Sequence, residues 1–123
     1  MNSNETTAVP NAIAMYQAAH DLRDVDTAIA QFTADASVLD DGKTYEGIGG
    51  VETFLRKAGS EYLYTRTLIS AEEVTSGCWR VANRLEGNFP GGQVDLFYEF
   101  LLEGDLISRL TNAPYFFCIM QYR

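Results

Sequence analysis

The segment Asp24–Ala58, DVDTAIAQFTADASVLDDGKTYEGIGGVETFLRKA, decides how this chain is read. Val25, Ala28, Ile29 and Phe32 recur at i, i+3, i+4 and i+7, the spacing of one helix face, and Asp24 stands at the N-cap. An apolar strand, Ala36-Ser37-Val38-Leu39-Asp40, follows almost at once. After a glycine-bearing loop, Val51, Phe54, Leu55 and Ala58 repeat the helical spacing, with Gly59 as a C-cap. This order leaves one carboxylate, Asp40, at the end of an otherwise apolar strand. A carboxylate so placed costs free energy unless it is solvated, hydrogen-bonded or put to use.

Upstream, a first helix is expected to begin near Val9, with Pro10 in its first turn, and to run to about Leu22. Its apolar face carries Val9, Ile13, Tyr16 and His20, flanked by Ala12 and Ala19. Residues 1–8 read as a disordered polar arm, and 9–123 as one domain. Downstream the period changes from 3.6 to 2. The run YLYTRTLIS within Glu61–Val74 favours a strand that turns at Ser76-Gly77. Trp79, Val81, Leu85 and Phe89 then alternate against Arg80, Arg84, Glu86 and Asn88. Beyond the turn at Pro90-Gly91-Gly92, Val94, Leu96, Tyr98, Phe100 and Leu102 share a face. Glu103-Gly104-Asp105 reads as a hairpin, Leu106–Asn112 as the last main strand, and Tyr115–Met120 as an aromatic tail. Helices followed by a meander of long strands define an α+β fold, a cone in which a curved antiparallel sheet receives the N-terminal helices on its concave face. The opposite face carries Phe97 and Leu101 among its charges, which points to a homodimer through that outer face.

With 123 residues the chain is long enough for one core but not two. A net charge of −8 argues against nucleic acid and against anionic membrane surfaces as partners. The segment 1–8 lacks the basic and apolar regions of a signal peptide, and no apolar run approaches a membrane span, so the expected location is cytoplasmic. Cys78 and Cys118 have no metal-ligand spacing and read as buried thiols of a reducing compartment, although the fold could still bring them together. No histidine cluster, CxxC, GxSxG or phosphate-cradling loop is present, so neither a metal nor any other cofactor is expected.

The order of these elements resembles the nuclear transport factor 2-like superfamily, which shares the cystatin-like fold, and within it the SnoaL-like and ketosteroid isomerase-like branch. The likeness covers nearly the whole chain. It is carried by DVDTAIAQFTADASVLDDG, by the glycine-started helix YEGIGGVETFL, by SGCWRVANRLEG and by the closing hairpin FYEFLLEGDLISRL. The superfamily holds isomerases, cyclases, dehydratases, epoxide hydrolases and non-catalytic binders on one scaffold. On the ketosteroid isomerase pattern, the resemblance puts the oxyanion-hole tyrosine at Tyr16 and the general-base aspartate at Asp40. The second oxyanion donor, an aspartic acid in that family, falls on Leu96, and the neighbouring Asp95 points to the opposite face of its strand. The last-strand aspartate of limonene epoxide hydrolases falls near Asn112. His20 departs from the pattern, which is usually apolar there.

The resemblance and the residue chemistry together make Tyr16, His20 and Asp40 the candidate catalytic set. Asp40 would be a base raised by desolvation, and the alternative is a solvated aspartate before the turn at Gly42. His20 lies one helical turn from Tyr16 and, as the sole histidine, would be the natural proton-handling group near neutral pH, or else bonds to a backbone carbonyl at the helix end. Phe54, Trp79, Val81, Asn83, Leu96 and Tyr98 are the expected ligand-contacting residues. Arg66 shares a face with Tyr62 and Tyr64 and reads as a surface or dimer-interface residue rather than a ligand for a carboxylate. The expected function is binding of a small apolar molecule in the cone, with cofactor-independent isomerase or lyase chemistry on a carbonyl compound. The alternative is a non-catalytic ligand-binding or dimerisation module of the same fold.

Overall fold

The computed structural model describes residues 9–57 and 63–113. The N-terminal arm, Ala58, Gly59, Tyr62, Cys118 and the aromatic tail lie outside them. Helix α1 (Asn11–Asp21) begins after Pro10, whose missing N–H suits a helix start, and the Pro10 carbonyl accepts from Ile13 and Ala14. It ends in a left-handed residue, Arg23 (φ 61), beyond which the Asp24 N–H reaches back to the Ala19 carbonyl at 2.8 Å. Glycine usually fills that position. Here the Arg23 guanidinium lies over the Tyr64 ring, 5.5 Å from its centroid.

Helix α2 (Val25–Ile29) opens as expected, with the Asp24 carboxylate accepting from the Thr27 N–H at 3.2 Å. It is shorter than the periodicity implies. Phe32 belongs to strand β1 (Phe32–Asp40), because the chain straightens where the Gln31 carbonyl accepts from Ile107 of the last strand. The loop expected after Asp40 is a hairpin. Asp41 (φ 53) and Gly42 (φ 81) form a two-residue left-handed turn into β2 (Lys43–Glu46), and Asp40 pairs with Lys43. Helix α3 (Gly47–Arg56) packs closely on that hairpin. A β-carbon on Gly50 would come within 2.9 Å of the Tyr45 backbone.

Strands β3 (Tyr64–Thr75), β4 (Cys78–Gly87), β5 (Gln93–Glu103) and β6 (Leu106–Ala113) form the expected meander. The sheet order is β2-β1-β6-β5-β4-β3. Every pairing is antiparallel except β1 with β6, which is parallel and was not anticipated. Register shifts in β3–β4 and β5–β6 bend the long strands, so the sheet curls around the helices. Ile13, Val38, Val51, Val81, Phe100, Ile107 and Leu110 are fully buried between the layers. The ring of Tyr16 stands edge-on to Phe32 and Phe100 at 5.4 and 5.8 Å, which fixes α1 against the sheet. The fold is therefore α+β, with the N-terminal helices on the concave face of a curved, open sheet.

Candidate active site

Between α1 and the open end of the sheet lies a cavity of about 420 Å³, within the size range of small-molecule sites. Helix α1 contributes Tyr16, Gln17, His20 and Asp21, spaced along the face that turns toward the sheet. Asp40 enters from the end of β1 and Phe54 from α3. The meander supplies Tyr64 and Arg66, Asn83 and Leu85, then Val94, Leu96 and Tyr98, and finally Asn112. Phe89 and Pro90 close the rim at the β4–β5 turn.

Of the residues expected here from the sequence, Tyr16, His20, Asp40, Phe54, Asn83, Leu96 and Tyr98 all reach the cavity wall. Trp79 and Val81 do not, and that expectation is corrected. They pair with Phe100 and Tyr98 further along β4 and pack in the core, where the sheet closes on the helices. Alternation identified their face, but not how far along the strand the opening lies.

Asp40 is half-buried. Parallel register sets it beside Asn112 on β6, whose side chain is within hydrogen-bonding reach. Burial pushes the Asp40 carboxyl above its ordinary value and the charge of Asp41 adds to this, while the hydrogen bond from Asn112 acts against both. With the Asn112 amide turned toward Asp40, its Oδ1 is buried and has no hydrogen-bond partner. Tyr16 is 4% exposed, and among the described residues nothing hydrogen-bonds its hydroxyl. Burial holds the Tyr16 phenol well above its usual pKa, and nearby Tyr98, Tyr64, Asp40 and Asp21 raise it further. Tyr16 is therefore a neutral donor at any physiological pH. Tyr98 is raised in the same way, chiefly by burial, and Tyr64 is pushed up to about 12.

His20 is held by its neighbours. Its Nδ1 lies 2.6 Å from the Tyr64 hydroxyl, and its ring sits between those of Tyr16 and Tyr64. Arg66, expected at the surface, is instead a wall residue. Its guanidinium donates to both Asp21 carboxylate oxygens at 2.9–3.0 Å and to Asn83 Oδ1 at 3.3 Å. Asn83 is fully buried and donates in turn to Gln17 Oε1 at 2.7 Å.

Sequence reasoning missed Gln17, Asp21 and Tyr64 as well as Arg66. One signal was available, since Gln17 and Asp21 repeat the i, i+4 spacing of Tyr16 and His20 one residue further on. Among the described residues, no group of three or more His, Cys, Asp or Glu could hold a metal ion. No helix among them is long and apolar enough to cross a membrane.

No protein-family profile matches the chain, and no curated protein matches it in sequence. Solved structures do. A candidate polyketide cyclase from Sinorhizobium meliloti superposes with a TM-score of 0.79 at 26% identity, over 92% of this chain and 100% of that one. A Catenulispora acidiphila protein with a ketosteroid isomerase-like fold, in complex with trimethylamine, gives a TM-score of 0.74 at 15% identity over 86% of each chain. A Mycobacterium tuberculosis protein in complex with estradiol-17β-hemisuccinate gives 0.68 at 16% identity, over 82% of this chain and 88% of that one. The fold is the one these structures share with others described as cystatin-fold and nuclear transport factor 2-like.

Proposed function

We propose that the cavity binds a small, largely apolar carbonyl compound and catalyses proton transfer at the carbon next to the carbonyl, without a cofactor. The observation that carries this reading is a pair of groups on one cavity wall. Asp40 is a carboxylate whose proton affinity is raised by burial, and Tyr16 is a neutral hydroxyl with no hydrogen-bond partner among the described residues. In the scheme, Asp40 takes the α-proton as the carbon–hydrogen electron pair moves toward the carbonyl oxygen. The Tyr16 hydroxyl donates to the developing enolate oxygen. Protonation at another carbon completes an isomerisation, and loss of a β-hydroxyl as water completes a dehydration. His20, bonded to Tyr64 beside Tyr16, is the second proton-handling group. Two structural neighbours were solved with a steroid-derived ligand and with trimethylamine, which supports the binding half of the reading.

The test is exchange of α-hydrogens in D₂O, followed by NMR on a panel of steroid-like and polyketide-like ketones. Asp40→Asn is expected to slow exchange by about 10²–10⁴-fold and Tyr16→Phe by about 10²–10³-fold. Exchange that survives Asp40→Asn ends the catalytic reading. Binding without exchange of any ketone leaves the non-catalytic ligand-binding module in its place. The accompanying proposal is a cytoplasmic homodimer joined through the outer sheet face. Leu101 and Ile69 are large, exposed apolar side chains of β5 and β3 that support it.

A further inference from the structure

A chain of side-chain amides along one wall of the cavity has its polarity set by Arg66. A guanidinium has five N–H groups and no acceptor. The group it contacts on Asn83 must therefore be the oxygen, as found at 3.3 Å. Asn83 is then obliged to present Nδ2 to its next neighbour, and it donates to Gln17 Oε1 at 2.7 Å. With Oε1 turned to Asn83, Gln17 has Nε2 on its other side. That nitrogen bonds to no other described residue, and Gln17, 6% exposed, lines the cavity. Asp21 neutralises the guanidinium, so the charge is balanced while the direction of every bond is kept.

We infer that Gln17 Nε2 is a donor subsite that selects ligands carrying an oxygen acceptor, a carbonyl or carboxylate, with Arg66 as the positioning residue that fixes this polarity through Asn83. Reversing both amides would aim Asn83 Nδ2 at the guanidinium, donor against donor, and would turn the Gln17 oxygen into the cavity. The subsite rests on the reading of the cavity as a ligand site, and it narrows the ligand class to molecules with an acceptor oxygen.

The experiment compares three probes of one shape, 2-acetylnaphthalene, 2-naphthoate and 2-ethylnaphthalene, by titration calorimetry. It is paired with ¹⁵N–¹H spectra of the Gln17 side-chain amide. The wild-type chain is expected to bind the ketone or the carboxylate at least tenfold tighter than the hydrocarbon, and the Gln17 amide signals are expected to shift only with the oxygen-bearing probes. Gln17→Glu keeps an acceptor for Asn83 but replaces the free NH₂ with a carboxylate oxygen. It should cut the preference for the oxygen-bearing probes several-fold, with the hydrocarbon titrated in parallel as the reference. Arg66→Met leaves Gln17 in place and should also erase most of the preference, which a merely structural role for Arg66 would not do. Equal affinity for all three probes, no binding of the oxygen-bearing pair, or an unmoved Gln17 amide each overturns the inference. These are equilibrium measurements without turnover, so their failure is separable from failure of the hydrogen-exchange assay at Asp40.

Discussion

Asp40 binds its proton more tightly in the folded chain than in the unfolded one, because burial opposes its charge and Asp41 adds to the effect. What it contributes to stability is complete below the ordinary carboxylate value of 3.8 and is lost as the pH rises through its higher folded value. Asp40→Asn should therefore raise the melting temperature at pH 7, and the gain should shrink toward pH 4. A new amide can also donate to the orphaned Asn112 Oδ1. Thermal melts of both proteins across that pH range check the sign, and a loss of stability at pH 7 would contradict it. For catalysis the same shift acts in the other direction. The exchange rate should fall on the acid side as Asp40 is protonated, with its midpoint above 3.8. Asp40 was legible as a candidate because a polar residue ended an apolar strand. Gln17 was not, because only its bond to Asn83, 66 positions away, turns an ordinary flanking glutamine into a cavity donor.

At the scale of elements, the turns and strand ends aim the site. The left-handed pair Asp41-Gly42 stops β1 at Asp40 and holds it between Lys43 and Asn112. Near the cavity rim, β4 ends at Gly87, where a β-carbon would overlap the Leu63 carbonyl oxygen and lie 2.9 Å from Tyr64 Cα. Gly87→Ala should cost about 2 kcal/mol, read as a shift in the denaturant midpoint, since backbone rather than a flexible side chain must move. It should also weaken ligand binding, because the displaced strand carries Tyr64 and Arg66. The capped start of α2 follows from Asp24. That carboxyl is held below its ordinary value by the side-chain and backbone of Thr27, so the stabilisation exists above the ordinary carboxylate pKa and fades as the pH falls through the lower folded one. Asp24→Ala should accordingly lower the melting temperature at pH 7, and the loss should shrink as the pH falls below 3.8. Helix α2 ends early because Ile29 and Phe32, three apart, satisfy a helix face and a strand start equally well. The Gln31–Ile107 bond decides between them.

At the scale of the molecule, one sheet face is filled by the helices and the cavity, and the other presents Leu101 with 39% of its surface exposed. The proposed dimer predicts a species of twice the 13.7 kDa chain mass in sedimentation equilibrium, and Leu101→Glu should shift it toward the monomer. A single 13.7 kDa species in the wild type would end that proposal. Curvature also sets where the cavity opens. The bulged strands β3, β4 and β5 splay from α1 near Leu85, Val94 and Leu96, and they close on it at Phe100, taking Trp79 and Val81 into the core.

The sequence by itself determined the helices, the meander and the face of the sheet that turns inward. These follow from hydrophobic period, capping residues and turn chemistry, all of which act over a few residues. Only the tertiary structure decided that β1 runs parallel to β6, that Asp21 meets Arg66 across 45 positions, and that the arginine orients two amides inside the cavity. Such pairings depend on how strongly the sheet twists and where its bulges fall. That geometry emerges from packing many strands together, and no local pattern encodes it.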